Sequence, residues 1–219
     1  MDTKNIIEGY IIDLDDTLVD SSEAHYEAWQ YALRKHNINK ERDEVVAEFG
    51  NATNLIGLTF ADGNKELGDK LAQEKTDYLI KTIPNVAPFN GVNDLLQELH
   101  KSGNPICFAS SNFNIIIDAF VKANGWDEIS IGYVGIDDVI HSKPDPEMIE
   151  KCIEKMNLDA EQCVMIGDSI YDIKAGKNAG TKTIGVCTGI NNETTFADYK
   201  PDLVLHKITD LKNFLPLKI

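Results

Sequence analysis

Two short acidic stretches carry the residue types best suited to chemistry. The apolar residues Tyr10, Ile11 and Ile12 run directly into Asp13-Leu14-Asp15-Asp16-Thr17-Leu18-Val19-Asp20. Asp13 and Asp15 are two positions apart, so in a regular strand both would face one side. Neighbouring carboxylates repel one another, which makes the cluster a poor design for stability alone. A polar loop with a threonine-stabilised turn would explain it structurally, whereas a magnesium ion with a phosphate would relieve the repulsion. The second stretch is Val164-Met165-Ile166-Gly167-Asp168-Ser169-Ile170-Tyr171-Asp172, again an apolar run entering acids. Taken singly, helix capping explains Asp168 and helix-dipole complementarity explains Asp172. Beside the first cluster that explanation weakens.

Two further positions offer what an anion needs. Ser110 follows the apolar run Pro105–Ala109 and precedes Ser111 and Asn112. A hydroxyl at the backbone N–H groups of a helix start can hold a phosphate, although serine is also a common cap and turn residue. Lys143 lies in His141-Ser142-Lys143-Pro144-Asp145-Pro146, where prolines on both sides of Asp145 stiffen the chain and start the next helix. A lysine fixed there supplies local positive charge; in isolation the motif would read as a solvated loop lysine.

The elements that must position these residues follow a simple rhythm. Short apolar runs recur at Gly9–Leu14, Pro105–Ala109, Ile129–Val134, Cys163–Ile166, Lys182–Cys187 and Asp202–Leu205. Amphipathic stretches lie at Val92–Lys101, Ile115–Asn124, Pro146–Met156 and Ile170–Ala179. Strands alternating with helices predict βαβ units and a mostly parallel sheet with both faces covered. In such sheets ligands bind beyond the carboxyl ends of the strands, where both acidic clusters fall. The rhythm breaks after Leu18: Ser21–Asn37, Asn39–Phe49 and Asn64–Ile83 read as helices, with Ser21 or Ser22 the first N-cap and Pro84 and Pro88 marking the return. This predicts a helical insertion able to cover a site at the sheet edge.

Composition narrows the partners. The 219 residues are 42% hydrophobic and 26% charged, enough for a sizeable core, with no apolar run of membrane-spanning length. Lysine and arginine total 21 against 36 aspartates and glutamates, a formal charge of −15 that disfavours nucleic acid and anionic membrane. The N-terminal stretch, with Asp2, Glu8 and Asp13, shows no signal-peptide pattern, so a cytoplasmic protein is expected, as a monomer or weak homodimer. Cys107, Cys152, Cys163 and Cys187 have no C-x-x-C spacing and read as buried thiols.

Together, Asp13-x-Asp15-x-Thr17-Leu18-Val19-Asp20-Ser21, Ser110, Lys143-Pro144 and Gly167-Asp168-Ser169-x-x-Asp172-x-x-Ala175-Gly176 resemble the four ordered motifs of the haloacid dehalogenase-like superfamily. The usual glycine before Thr17 is replaced by Asp16, which leaves the two key carboxylates in place. The resemblance implies an α/β fold: a Rossmann-like, doubly wound parallel core from residues 1–19 and 89–219, with an all-helical cap inserted over residues 20–88. It also implies a Mg²⁺-dependent phosphatase acting on a small phosphorylated metabolite. Asp13 would be the nucleophile that becomes an aspartyl-phosphate, and Asp15 the acid and base. Mg²⁺ would be held by Asp13, the Asp15 backbone carbonyl and Asp168, with Asp172 orienting a bound water. Ser110 and Lys143 would neutralise the transferring oxygens, and Ser111 and Asn112 would contact substrate.

Within the superfamily, Asp15 speaks against dehalogenation, leaving phosphatases and sugar-phosphate mutases. His25-Tyr26-Glu27-Ala28-Trp29 and Leu71-Ala72-Gln73-Glu74-Lys75-Thr76-Asp77 resemble cap helices of β-phosphoglucomutases, which makes His25 and Lys75 substrate-binding candidates. Plain packing and an ordinary solvated helix lysine explain the same residues. The mutases also carry a cap arginine near Asn51-Ala52-Thr53, and here the only arginines are Arg34 and Arg42. Gly167-Asp168-Ser169 and the stretch from Thr188-Gly189-Ile190 to Leu205 are similar to phosphoglycolate-phosphatase-like proteins. The reading is therefore a phosphatase, with a mutase second and a catalytically silent binding protein third.

Overall fold

The computed structural model describes residues 6–219; Asp2 of the N-terminal reading lies outside them. Six strands form one sheet: β1 (Gly9–Ile12), β2 (Ile106–Ala109), β3 (Gly132–Val134), β4 (Cys163–Gly167), β5 (Lys182–Val186) and β6 (Leu203–Leu205). They are all parallel, in the order β3-β2-β1-β4-β5-β6. Alternate strand residues enter two different apolar clusters. Tyr10, Ile12, Phe108, Val164 and Ile166 join one, and Ile11, Cys107 and Met165 the other. Both faces are thus buried, which is why the strands read as apolar runs rather than strict alternation.

Four helices fill the interval after β1: α1 (Ser22–Lys35), α2 (Arg42–Val46), α3 (Thr53–Phe60) and α4 (Lys65–Thr82). The helix expected over Asn39–Phe49 shortens to α2, while α3 was not expected. Trp29, Leu33, Val45, Ile56, Phe60 and Leu71 form an apolar cluster that contains no strand residue. Ala28 of α1 and Leu79 of α4 join the main core beneath. The chain enters and leaves this layer side by side, with the Asp20 N–H donating to the Ala87 carbonyl at 3.2 Å and Val19 bridging Pro88.

The remaining helices cover the sheet. They are α5 (Val92–Lys101), α6 (Asn114–Asn124), α7 (Glu147–Met156), α8 (Ile170–Asn178) and α9 (Glu193–Tyr199), the last also unexpected. Leu95, Leu96 and Leu99 of α5 and Ile116, Ile117 and Phe120 of α6 pack on one face. Met148, Ile149 and Cys152 of α7 and Ala175 of α8 pack on the other. Among the described residues no helix is long and apolar enough to cross a membrane.

Phe60 is 4% exposed and meets Trp29 edge-on, with ring centroids 5.4 Å apart. Phe60→Ala should therefore cost about 3 kcal/mol in urea denaturation, from lost burial plus the cavity left behind. A loss below about 1 kcal/mol would contradict the assignment of this cluster as a packed core.

Candidate active site

In the observed strand order the chain builds outward from β1 through β2 to β3, then crosses back to place β4 on the other side of β1, and the crevice at such a switch point is where side chains converge. Asp13 follows β1, Ser110 follows β2 and Asp168 follows β4; Asp13 and Asp168 line one cavity, while Ser110 is fully buried behind it with its hydroxyl on Asp15 and Asn112. Lys143 joins them from the loop before α7. Its ammonium donates to Asp13 Oδ1 at 2.9 Å, Asp172 Oδ1 at 2.6 Å and the Ala109 carbonyl at 3.1 Å. It is buried, not a solvated loop lysine. The loop is held in turn: Glu147 accepts the N–H groups of Ile140 and His141, and Asn178 donates to the Pro144 carbonyl.

The carboxylates of Asp13, Asp168 and Asp172 are all buried, with ligand oxygens within 4.8 Å of one another. Burial pushes Asp13 well above the usual carboxylate range, Lys143 opposes it, and Asp172 and Asp15 reinforce it. Burial also lifts Asp168, helped by Asp13, Asp172 and Asp16. For Lys143 burial works against the charge, but Asp13 and Asp172 outweigh it and hold the ammonium above its ordinary value. Beyond Lys143 this trio lacks a touching cation among the described residues, and the all-oxygen donor set fits Mg²⁺. Asp168 keeps most of its oxygen capacity, since among the described residues its carboxylate accepts a hydrogen bond only from the Thr17 hydroxyl, at 3.2 Å. Asp172 is more committed, accepting from Lys143 on one oxygen and from the Ser169 N–H on the other at 3.0 Å.

Asp15 faces the other way, and its side chain is not one of the three converging carboxylates. Its Oδ1 accepts from Ser21 Oγ at 2.8 Å and lies 2.7 Å from His25 Nε2. Its Oδ2 accepts from Asn112 Nδ2 at 2.5 Å and from Ser110 Oγ at 3.4 Å. Burial alone would raise its pKa, yet the His25, Ser21 and Lys75 contributions win and hold Asp15 well below the usual carboxylate range. Ser21 is the N-cap residue of α1 as expected, but its hydroxyl serves Asp15 instead of the helix.

The candidates from the helical layer change most. Lys75, more simply read as a solvated helix lysine, is completely buried. Its ammonium donates to Thr53 Oγ1 at 3.3 Å and Asn112 Oδ1 at 3.1 Å and lies 5.7 Å from the Trp29 ring centroid. Burial lowers its pKa to about 8, with Asp15 pulling the other way. His25, for which packing was the plainer reading, touches Asp15 directly. Ser111, expected to contact substrate, spends its hydroxyl on the Gly50 carbonyl at 3.1 Å and its carbonyl on the Thr53 N–H. Asn112 bridges Asp15 to Lys75 and Thr53.

These groups line a cavity of about 60 Å³, which also has Trp29, Phe49, Ile56 and Ile190 in its wall. Neither Arg34 nor Arg42 lines it; Arg42 is paired with Glu23 on the exposed face of α1. Several positions that hold the site escaped the sequence reading. Thr53 fixes Lys75 and Asn112, and Asn191 Nδ2 donates to the Asp168 carbonyl at 3.1 Å. Gly189 lies so close to the Asp168 carboxylate that any side chain there would displace it. Only the Thr188-Gly189 doublet offered a signal for this group.

The sequence and the fold both have known relatives. Residues 10–186 match the haloacid dehalogenase-like hydrolase family. The chain is 30% identical over 223 residues to a protein named pyrophosphatase PpaX from Bacillus velezensis, covering 99% of this chain and 100% of that one. A crystal structure of a hydrolase from Pseudomonas syringae superposes with a TM-score of 0.86 at 25% identity, covering 95% of this chain and 97% of that one. A predicted phosphoglycolate phosphatase from Haemophilus somnus shares the fold, with a TM-score of 0.85 at 21% identity over 94% of this chain and 97% of that one.

Proposed function

The chain belongs to the haloacid dehalogenase-like hydrolases, and we propose that it is a Mg²⁺-dependent phosphatase for compact substrates whose leaving group already carries a negative charge before the bond breaks, inorganic pyrophosphate foremost. One observation carries the finer part of this reading. Lys75 is fully buried in the same cavity as Lys143, so two fixed cations serve one small space. Lys143 sits on Asp13, where the transferring phosphoryl group belongs. Lys75 sits on Asn112 beside Asp15, where the leaving group belongs. A desolvated cation there favours a second negative charge. The name of the 30%-identical relative supports the same substrate class.

In this reading Asp13 attacks phosphorus, the bond to the leaving oxygen breaks, and an aspartyl-phosphate forms. Asp15, with His25 Nε2 2.7 Å away, gives a proton to the leaving oxygen and then takes one from the attacking water. Lys143 and Ser110 place positive and donor groups against the transferring oxygens. Mg²⁺, held by Asp13, Asp168 and the Asp15 carbonyl with Asp172 beside it, would supply charge neutralisation. Residues 20–88 act as the cap that excludes water until release. The cavity lacks the arginine that a mutase would use to clamp a distal phosphate, which favours hydrolysis.

Phosphate release from pyrophosphate, 2-phosphoglycolate, acetyl phosphate and β-glucose 1-phosphate tests this. Lys75→Met should raise KM for pyrophosphate on the order of a hundredfold, the worth of a buried charge pair, and change acetyl phosphate only slightly. Because burial depresses Lys75 to about 8, its charge is present below that pH and lost above it. Accordingly kcat/KM for pyrophosphate should fall above about pH 8, and Lys75→Arg should move that limb upward. An equal loss on all substrates, or isomerisation of glucose 1-phosphate without free phosphate, would overturn the substrate assignment.

A further inference from the structure

Asp16 occupies backbone that glycine ordinarily takes. Its φ is +52°, a left-handed conformation unfavourable for a side chain. The residue is nevertheless buried, and its carboxylate has a specific use. Oδ1 accepts from the Ser22 N–H at 2.9 Å and the Ser21 N–H at 3.3 Å, and Oδ2 accepts from Ser22 Oγ. These N–H groups begin α1 and have no partner within the helix. The turn is tied to the core as well, through the Asp16 N–H on the Val19 carbonyl and Thr188 Oγ1 on the Asp16 carbonyl.

As the N-cap residue, Ser21 would ordinarily accept from the N–H of Glu23 or Ala24 through its side-chain oxygen. It makes no capping bond and donates to Asp15 Oδ1 instead. One turn later on the same helix, His25 reaches the same oxygen. Glu23, the acid in the first turn of α1, is paired with Arg42. We propose that Asp16 is a positioning residue: it holds the first two free N–H groups and the Ser22 hydroxyl, and so fixes the start of α1 at the place from which Ser21 and His25 reach Asp15. Glycine would suit the backbone better but would offer no acceptor. The start of α1 would lose its anchor, and Ser21 and His25 would move from Asp15. The inference rests on the reading of Asp15 as the acid and base.

The test is a double-mutant cycle with two small substrates. 2-Phosphoglycolate releases glycolate, whose departing alkoxide oxygen needs a proton, whereas acetyl phosphate releases acetate, a carboxylate that does not. Asp16→Gly should lower kcat/KM for 2-phosphoglycolate roughly tenfold, the worth of one hydrogen bond to a charged group, and acetyl phosphate by less than about twofold. Ser21→Ala should cost a similar factor in the wild type and little more in the Asp16→Gly background, because the contact is already lost. Asp16→Asn, which keeps Oδ1 and tolerates this backbone, should stay within about threefold of wild type on both substrates. Equal losses on both substrates, additive losses in the cycle, or wild-type behaviour of Asp16→Gly would each overturn the proposal. If Asp16→Gly does not fold, a selective tenfold loss in Asp16→Asn overturns it. Asp15→Asn is the control: no preference for the better leaving group there sinks the acid–base reading instead.

Discussion

Asp13→Asn should fold, melt no lower than the wild type and lose at least about 10⁴-fold in kcat, the scale set by removal of a covalent nucleophile. An amide is nearly the same size as the carboxylate and can still accept from the Lys143 ammonium, so the packing survives. It cannot form the mixed anhydride with phosphate. The stability half of this prediction follows from the electrostatics. Burial, Asp172 and Asp15 hold Asp13 well above its ordinary pKa despite Lys143. An acid whose folded pKa is raised costs stability once pH exceeds its unfolded value, so neutralising it at pH 7 removes a cost. Thermal unfolding and steady-state phosphate release are the two measurements. Retained turnover would refute the nucleophile, and a large drop in Tm would refute the packing argument.

Chelation should abolish activity and added Mg²⁺ restore it, while Ca²⁺ inhibits. Ca²⁺ prefers six to eight oxygens at roughly 2.3–2.6 Å in looser geometry, which would misplace Asp13 for attack. Asp168→Ala should raise the Mg²⁺ requirement far more than Asp172→Ala. Among the described residues the Asp168 carboxylate accepts a hydrogen bond only from Thr17, which leaves capacity for an ion. Asp172 already spends its oxygens on Lys143 and the Ser169 N–H. Independently of activity, Mg²⁺ should raise Tm in the wild type, since an ion bound only by the folded state stabilises it. That shift should vanish in Asp168→Ala. Full turnover in chelator, with tightly bound metal removed, would contradict the site.

The core of this site was legible because it depends on strand ends. A parallel sheet buried on both faces forces apolar runs, and the residues just past them lie at the ligand edge; that logic singled out Asp13, Ser110 and Asp168, and the resemblance to the four haloacid dehalogenase-like motifs gave them roles. Lys143 was legible as a fixed loop cation, although not its bonds to both Asp13 and Asp172. The helical layer was harder. α3 contains Gly57 and β-branched residues, so propensity argued against a helix. Gly57 is needed because the Gly68 carbonyl of α4 approaches too closely for a side chain, a requirement set by tertiary contact. Lys75 did leave a trace: it lies on the stripe of Leu71 and Leu79, both buried on the same face of α4. A lysine at that position is either out of place or functional, and only the convergence of Thr53 and Asn112 decides between them. Asp16 was visible as a departure from glycine, but its use in capping α1 depends on a left-handed turn that composition does not reveal.

The most direct test of the central claim is to catch the phosphoryl group on the chain. Enzyme mixed with Mg²⁺ and pyrophosphate, or acetyl phosphate as a more reactive donor, is quenched in acid within the first turnover. Peptide mapping by mass spectrometry then locates the modification, and borohydride reduction of the acyl phosphate marks its position. The account predicts one acid-stable, base-labile phosphoryl group on Asp13, absent in Asp13→Asn and longer-lived in Asp15→Asn. A phosphoryl group on another residue, or rapid single turnover with no phosphoenzyme even in Asp15→Asn, would contradict it.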